Sequence, residues 1–135
     1  RINEYKNMVQ SFKINNDQKI DILTAGSKIY NPSELLNSNR FKNLIEKVKE
    51  DYDLILIDCP PISLMTDAVI VSKLSDGTAY IIESNRTNHA AIQSCVDQLN
   101  DVNAFVLGGI LTKVNIKKQK KLYGNKYDYY YSNYM

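Results

Sequence analysis

The sequence has 135 residues, 44% of them hydrophobic and 24% charged, which suits a single soluble domain with a core of its own and excludes disorder of the whole chain. A formal net charge of +2 gives no general case for nucleic-acid binding. Cys59 and Cys95 sit in apolar runs without CxxC spacing, so neither a disulfide framework nor a zinc site is indicated and a reducing, cytoplasmic setting fits. No apolar stretch approaches the roughly 18 residues of a membrane span, and no signal-peptide pattern opens the chain. The opening Arg1 suggests a processed or excerpted chain.

In chain order, Tyr5, Met8, Val9 and Phe12 have the spacing of a short amphipathic helix. Ile20 to Thr24 is rich in β-branched residues and ends at Ala25-Gly26, which predicts a short strand and a loop. Asn31-Pro32-Ser33-Glu34 predicts a helix start, with Asn31 as N-cap, Pro32 at the first helical position and Glu34 completing a capping box. That helix is expected to run to about Glu50, with Leu35, Phe41, Leu44, Ile45 and Val48 on its buried face. Asp67 to Leu74 is expected to be a second, shorter helix leaving by the turn Ser75-Asp76-Gly77. Thr78 to Glu83 reads as a strand, and Thr87 as the cap of a helix bearing Ile92, Cys95, Val96 and Leu99. Ala104 to Thr112 reads as a further strand, interrupted by Gly108-Gly109. Alternating strands and helices predict βαβ units, hence an α/β three-layer fold with a mostly parallel sheet.

The stretch from Tyr52 to Pro61 carries the chemistry. Leu54 to Ile57 is an unbroken apolar run, as in a strand buried on both faces of a parallel sheet, and Asp58 ends it with a charge. A carboxylate there faces the crevice where open α/β sheets bind ligands. Apolar strand, Asp and a rigid Pro60-Pro61 turn match the Walker B element of P-loop NTPases, whose Asp organises the Mg²⁺ that bridges nucleotide phosphates. The segment from Lys113 to Met135 differs in kind. Six lysines (113, 117, 118, 120, 121, 126) are interleaved with Tyr123, Tyr127, Tyr129, Tyr130, Tyr131 and Tyr134, six of the ten tyrosines, without a periodicity that would bury them. The chain therefore divides into a domain over 1–112 and a basic, tyrosine-rich flexible tail over 113–135.

Asn31-Pro32-Ser33-Glu34-Leu35-Leu36, then Tyr52-Asp53 through Asp58-Cys59-Pro60-Pro61, then Thr66-Asp67-Ala68 and the terminal tyrosine cluster together resemble the bacterial tyrosine kinases of capsular and exopolysaccharide export. The resemblance implies a P-loop NTPase-like fold, ATP and Mg²⁺ as cofactors, and transfer of phosphate to tyrosine. It implies autophosphorylation between subunits of a homo-oligomer, and a membrane-spanning polysaccharide co-polymerase as activator. Such a kinase would be cytoplasmic, held at the inner face of the membrane by that partner. On this chain Asp58 would be the catalytic, magnesium-organising residue. Asp67 would lie near the phosphates, with a helix cap as an equal alternative, and Thr112 would stand where the family commonly has an adenine-reading Asn. The tail tyrosines 123, 127, 129, 130, 131 and 134 would be the phosphate acceptors.

The chain also departs from that pattern. Its five glycines, at 26, 77, 108, 109 and 124, cannot form a G-x-x-x-x-G-K-[ST] phosphate loop. It thus resembles the C-terminal part of a kinase domain, with no activity expected of it alone. The competing readings are a non-catalytic regulatory or adaptor module phosphorylated on its tail, and a partition-type ATPase, which gives no reason for clustered tyrosines. Single-stranded nucleic-acid binding through the tail is distant, and no nucleic-acid partner is expected. Arg86 and His89 read as surface residues, and Cys59 as a small buried hydrophobe.

Overall fold

The computed structural model describes residues 2–15 and 18–115, with side chains from Tyr5 onward. A 3-10 turn over Ile2–Asn7 leads into β1 (Gln10–Lys13) and β2 (Lys19–Ile22), followed by α1 (Pro32–Asn37), α2 (Asn39–Asp51), α3 (Asp67–Ser72), β3 (Thr78–Glu83), α4 (His89–Asp101) and β4 (Val106–Thr112). The α/β expectation holds. β3 and β4 pair in parallel across the α4 connection, which is a βαβ unit. The register slips by one residue between Thr78, opposite Val106, and Ala79, opposite Gly108. Gly108 takes φ +147° at that bulge, a conformation that residues with a Cβ rarely adopt, so this strand tolerates its glycine and requires it.

The core gathers on one side of this unit. Ile62, Cys95 and Leu99 are buried together, with Ala68, Val69, Tyr80, Ala104 and Val106 packed against them. The Cys95 and Leu99 positions follow from the i, i+4 spacing of α4. The helix begins one residue later than Thr87 suggested. Asn88 is its cap, and its Oδ1 accepts from the Ala91 N–H at 2.8 Å.

The single helix expected over 31–50 is two. Ser38 takes an extended backbone (φ −69°, ψ 151°), and its hydroxyl oxygen accepts from the Phe41 N–H at 3.2 Å while its own N–H donates to the Leu35 carbonyl at 3.1 Å. One serine thus closes α1 and caps α2. Pro32 opens α1 as expected, but Asn31 makes no side-chain cap; its amide donates to the Glu34 carboxylate at 3.3 Å instead. In α2, Ile45 is buried and Phe41, Leu44 and Val48 half-buried, the face that the periodicity marked.

The amphipathic helix read from Tyr5 to Phe12 does not form. Gln10 to Lys13 pair antiparallel with Lys19 to Ile22, giving the β-branched second segment a ladder partner that local spacing could not reveal. Two tyrosine–carboxylate contacts fasten this hairpin to the end of α2. The Tyr5 hydroxyl donates to Asp51, which also pairs with Lys6 at 2.9 Å, and the Tyr52 hydroxyl donates to Asp21 at 2.8 Å.

These contacts make the docking depend on pH. The Asp51 carboxyl is held below its ordinary value first by the Tyr5 hydroxyl and then by Lys6, and that of Asp21 first by Ser11 and then by Tyr52. A lowered carboxyl contributes stability above its unfolded value, near 3.8, and loses it as the pH falls through the lower folded value. Tyr5 is pushed up from 10.0 to about 12, chiefly by its bond to Asp51, so its contribution is full below 10.0 and disappears as the pH rises through about 12. The hairpin is expected to stay docked between these limits and to loosen outside both. Methyl NMR shifts of Ile20 and Ile22 against pH check this, and a flat profile at both ends would show that other contacts hold the hairpin.

The largest departure concerns Leu54 to Ile57. The segment forms no strand and belongs to no sheet, with Leu54 75%, Leu56 86% and Ile57 39% exposed. An apolar run suited to burial on both faces needs a strand on each side. Among the described residues none lies against it.

Candidate functional site

Asp58 closes this apolar segment and is itself exposed. Pro60 and Pro61 then turn the chain sharply, with the Pro61 carbonyl accepting from the Leu64 N–H at 3.0 Å and the Met65 N–H at 3.2 Å. Between them and α3, Ile62 is buried in the core and pins the loop to α4. The loop therefore starts at one carboxylate, Asp58, and returns to a second, Asp67, at the first residue of α3. Burial pushes up the half-buried Cys59 thiol, and the negative charges of Asp58 and Asp67 push it further, so both carboxylates stand within electrostatic reach of one sulfur.

Neither carboxylate forms an ion pair among the described residues. Asp67 is not a helix cap. Thr66 is the N-cap residue, and the Asp67 carboxylate accepts from the Ser33 hydroxyl at 3.3 Å. Ser33 was not singled out as a site residue by the sequence; its one signal was its place in the Asn31-to-Leu36 motif. Magnesium prefers one or two carboxylates with water and phosphate oxygens completing its shell, and Asp58, exposed and without an ion-pair partner among the described residues, is a carboxylate of that kind. The described residues hold no group of three or more ligating side chains that would form an all-protein cage.

Thr112 ends β4, and its hydroxyl donates to the Ile82 carbonyl at 3.2 Å. No hydrogen bond or ion pair among the described residues joins it to Asp58 or Asp67. Arg86, read as a surface residue, pairs with Glu83 at 3.2 Å and is exposed. Lys113 meets the same carboxylate at 3.0 Å, and the bond from Lys113 is the first cause of the lowered Glu83 pKa. An open groove of about 340 Å³ lies over the α1–α2 junction, lined by Asn31, Glu34, Leu35, Ser38 and Arg40; it includes neither aspartate. Tyr123, Tyr127, Tyr129, Tyr130, Tyr131 and Tyr134 lie outside the described residues.

A parallel βαβ unit, with an aspartate and a double-proline turn closing an apolar segment, fits an α/β domain of the P-loop NTPase type. The AAA domain family model matches residues 3–105. CapB of Staphylococcus aureus is 30% identical over 127 residues, 94% of this chain and 52% of that protein. The tyrosine-protein kinase YwqD of Bacillus subtilis is 31% identical over 121 residues, 88% of this chain and 51% of that protein. Among solved structures, the VpsO kinase domain superposes with a TM-score of 0.67 at 33% identity, over 70% of this chain and 47% of that one. The chain belongs to the AAA-domain family and, within it, to the bacterial tyrosine kinases. It spans about half the length of the curated relatives it matches.

Proposed function

We propose that this chain is part of an ATP-dependent protein-tyrosine autokinase that regulates capsular or exopolysaccharide biosynthesis, and that it is inactive without a phosphate-binding loop. The observation that carries the reading is Asp58, an exposed carboxylate without a cationic partner among the described residues, set between an apolar segment and a rigid double-proline turn. Asp58, with Asp67 as the second candidate carboxylate, would hold Mg²⁺, which when bound neutralises charge on the transferring phosphate. Thr112 would lie at the nucleotide base.

The acceptors in this reading are Tyr123, Tyr127, Tyr129, Tyr130, Tyr131 and Tyr134, presented to a second copy of the kinase. Each phosphotyrosine adds about −1.5 to −2 charges, so four of them, together with Asp128, reverse the sign set by the six lysines of that segment. Subunit contacts would then weaken by repulsion. The activator would be a membrane-spanning polysaccharide co-polymerase that holds the kinase at the cytoplasmic face. The described residues contain no helix long and apolar enough to cross a membrane.

The test joins the part of YwqD that this chain does not match to the amino end of this chain and incubates the product with Mg-ATP. Phosphotyrosine mapped by mass spectrometry is expected between residues 123 and 134, reduced at least about a hundredfold in Asp58→Ala, the scale of losing one electrostatic contributor. The unfused chain should give none. Undiminished transfer in Asp58→Ala would remove Asp58 from the mechanism, and phosphate only outside 123–134 would remove the tail as acceptor.

A further inference from the structure

β3 and β4 end side by side, and the chain leaves both through a backbone conformation that side chains disfavour. Asn85, two residues past β3, takes φ +61°, and Lys113, the residue after β4, takes φ +53°. Asparagine tolerates the left-handed region because its short amide bonds locally, and here that amide donates to the Ser84 hydroxyl oxygen at 3.1 Å. A lysine has no such means, so its conformation has to be held from outside. The holder is Glu83, the last residue of β3, which stands opposite Thr112 in the register. Its Oε1 meets the Lys113 ammonium at 3.0 Å and its Oε2 the Arg86 guanidinium at 3.2 Å, one oxygen for each cation. Further bonds complete the junction. The Ser84 N–H donates to the Thr112 carbonyl at 3.0 Å, the Thr112 hydroxyl to the Ile82 carbonyl at 3.2 Å, and the Arg86 and Thr87 N–H groups to the Glu83 carbonyl, each at 3.3 Å.

We infer that Glu83 is a positioning residue, a clamp that ties the turn after β3 to the exit of β4 and so fixes Thr112 at the carboxyl end of the parallel pair. That is the end at which open α/β sheets take their ligands. A carboxylate suits the task and an amide does not, because glutamine has a single acceptor oxygen and must release one of the two cations. Once Lys113 is released, nothing offsets its left-handed conformation, and the turn relaxes, drawing the Thr112 carbonyl away from the Ser84 N–H. Arg86 and Lys113 are exposed, so their pairs add little to the stability of the whole chain and the clamp acts on local geometry. The inference deepens the proposed function by adding Glu83 to the side of the site where that reading puts the nucleotide base. It rests on that reading for the nucleotide alone, since the clamp can be tested without one.

The Ser84 amide supplies the reporter, because its bond to Thr112 joins the two strand exits. Its hydrogen-exchange protection, corrected for neighbouring side chains, is followed by NMR in the intact chain, with thermal melts confirming that each variant is folded. Glu83→Gln is expected to lower that protection at least about fivefold, while the melting temperature stays within about 2 °C of the parent. The second variant adds Lys113→Asn to Glu83→Gln. Asparagine enters the left-handed region without an outside partner, so the double variant should regain at least about half of the lost protection on a logarithmic scale. In the fused kinase, Glu83→Gln should raise KM for ATP at least about threefold with kcat within about twofold, the pattern of a group that acts on binding and not on phosphate transfer. Unchanged Ser84 protection in Glu83→Gln would overturn the clamp. So would a double variant that regains nothing, since the conformation of Lys113 would then not be what Glu83 holds. Lost protection with KM for ATP unmoved would overturn the positioning role at the nucleotide. A parent fusion that transfers no phosphate would count against the proposed function, and the Ser84 measurement would still decide the clamp.

Discussion

Leu99→Ala is expected to destabilise the chain by about 2–5 kcal/mol, the range for deleting a fully enclosed leucine whose surroundings collapse only in part. Leu99 is 1% exposed on α4 and sits with Ile62 and Cys95 at the centre of the core. Domains of this size are commonly stable by about 5–15 kcal/mol, and this one has only six buried hydrophobic side chains among the described residues, so the loss falls on a small total. The melting temperature followed by circular dichroism should drop by roughly 10 °C, given about 3–5 °C per kcal/mol at this length. Leu64→Ala is the control, because that side chain is 79% exposed and its removal leaves no cavity. Equal melting of the two variants would mean that the α4 contacts do not form the stabilising core. The effect also reaches the site: Ile62 packs in the same cluster, so a loosened Leu99 frees the loop that carries Asp58.

How much was readable in advance follows from the range of the interactions. Thr78 to Glu83 was legible with its bounds because a β-rich run is fenced by Ser75-Asp76-Gly77, and every signal lies within a few residues. The start of α4 was legible to within one residue, since Thr87 and Asn88 are both good caps and only backbone geometry chooses between them. Ser38 was missed because the apolar periodicity continues through it, while its hydroxyl favours the competing capped turn. The N-terminal segment failed for a different reason. The spacing at 5, 8, 9 and 12 is too short to separate helix from hairpin, and the deciding contacts, Tyr5 to Asp51 and Tyr52 to Asp21, span 46 and 31 residues.

The site shows the same division. Asp58 could be singled out because its signals are local: an apolar run, a charge and a double proline. Asp67 was located but not resolved between cap and crevice, since its partner is Ser33, on another helix. The run from Leu54 to Ile57 was read as a strand buried on both faces, whereas it is exposed and joins no sheet among the described residues, because no periodicity within it can say whether neighbours are at hand.

That segment leads to the final prediction, that the chain self-associates as its concentration rises. Leu54 and Leu56 are 75% and 86% exposed, and the backbone around them forms no ladder, so a row of unpaired donors and acceptors stands beside two bare leucines. Among the described residues β3 pairs only with β4, which leaves each of those strands a further edge without a partner strand there. A second copy offers the same groups in the same order, so backbone pairing and leucine burial are satisfied together. Covering the two leucines is worth about 3 kcal/mol or more, enough to change a dissociation constant at least a hundredfold. Sedimentation velocity from micromolar to several hundred micromolar should therefore show a growing larger species for the parent chain. Leu54→Lys combined with Leu56→Lys should remain the lighter species over that range, because two lysines on an exposed strand repel a second copy and cannot be buried cheaply. Unchanged association in the double variant would move the contact to another apolar surface, such as Phe105 and Leu107, each 66% exposed. A clean monomer at every concentration would show that the unpaired segment is satisfied by water and needs no strand beside it.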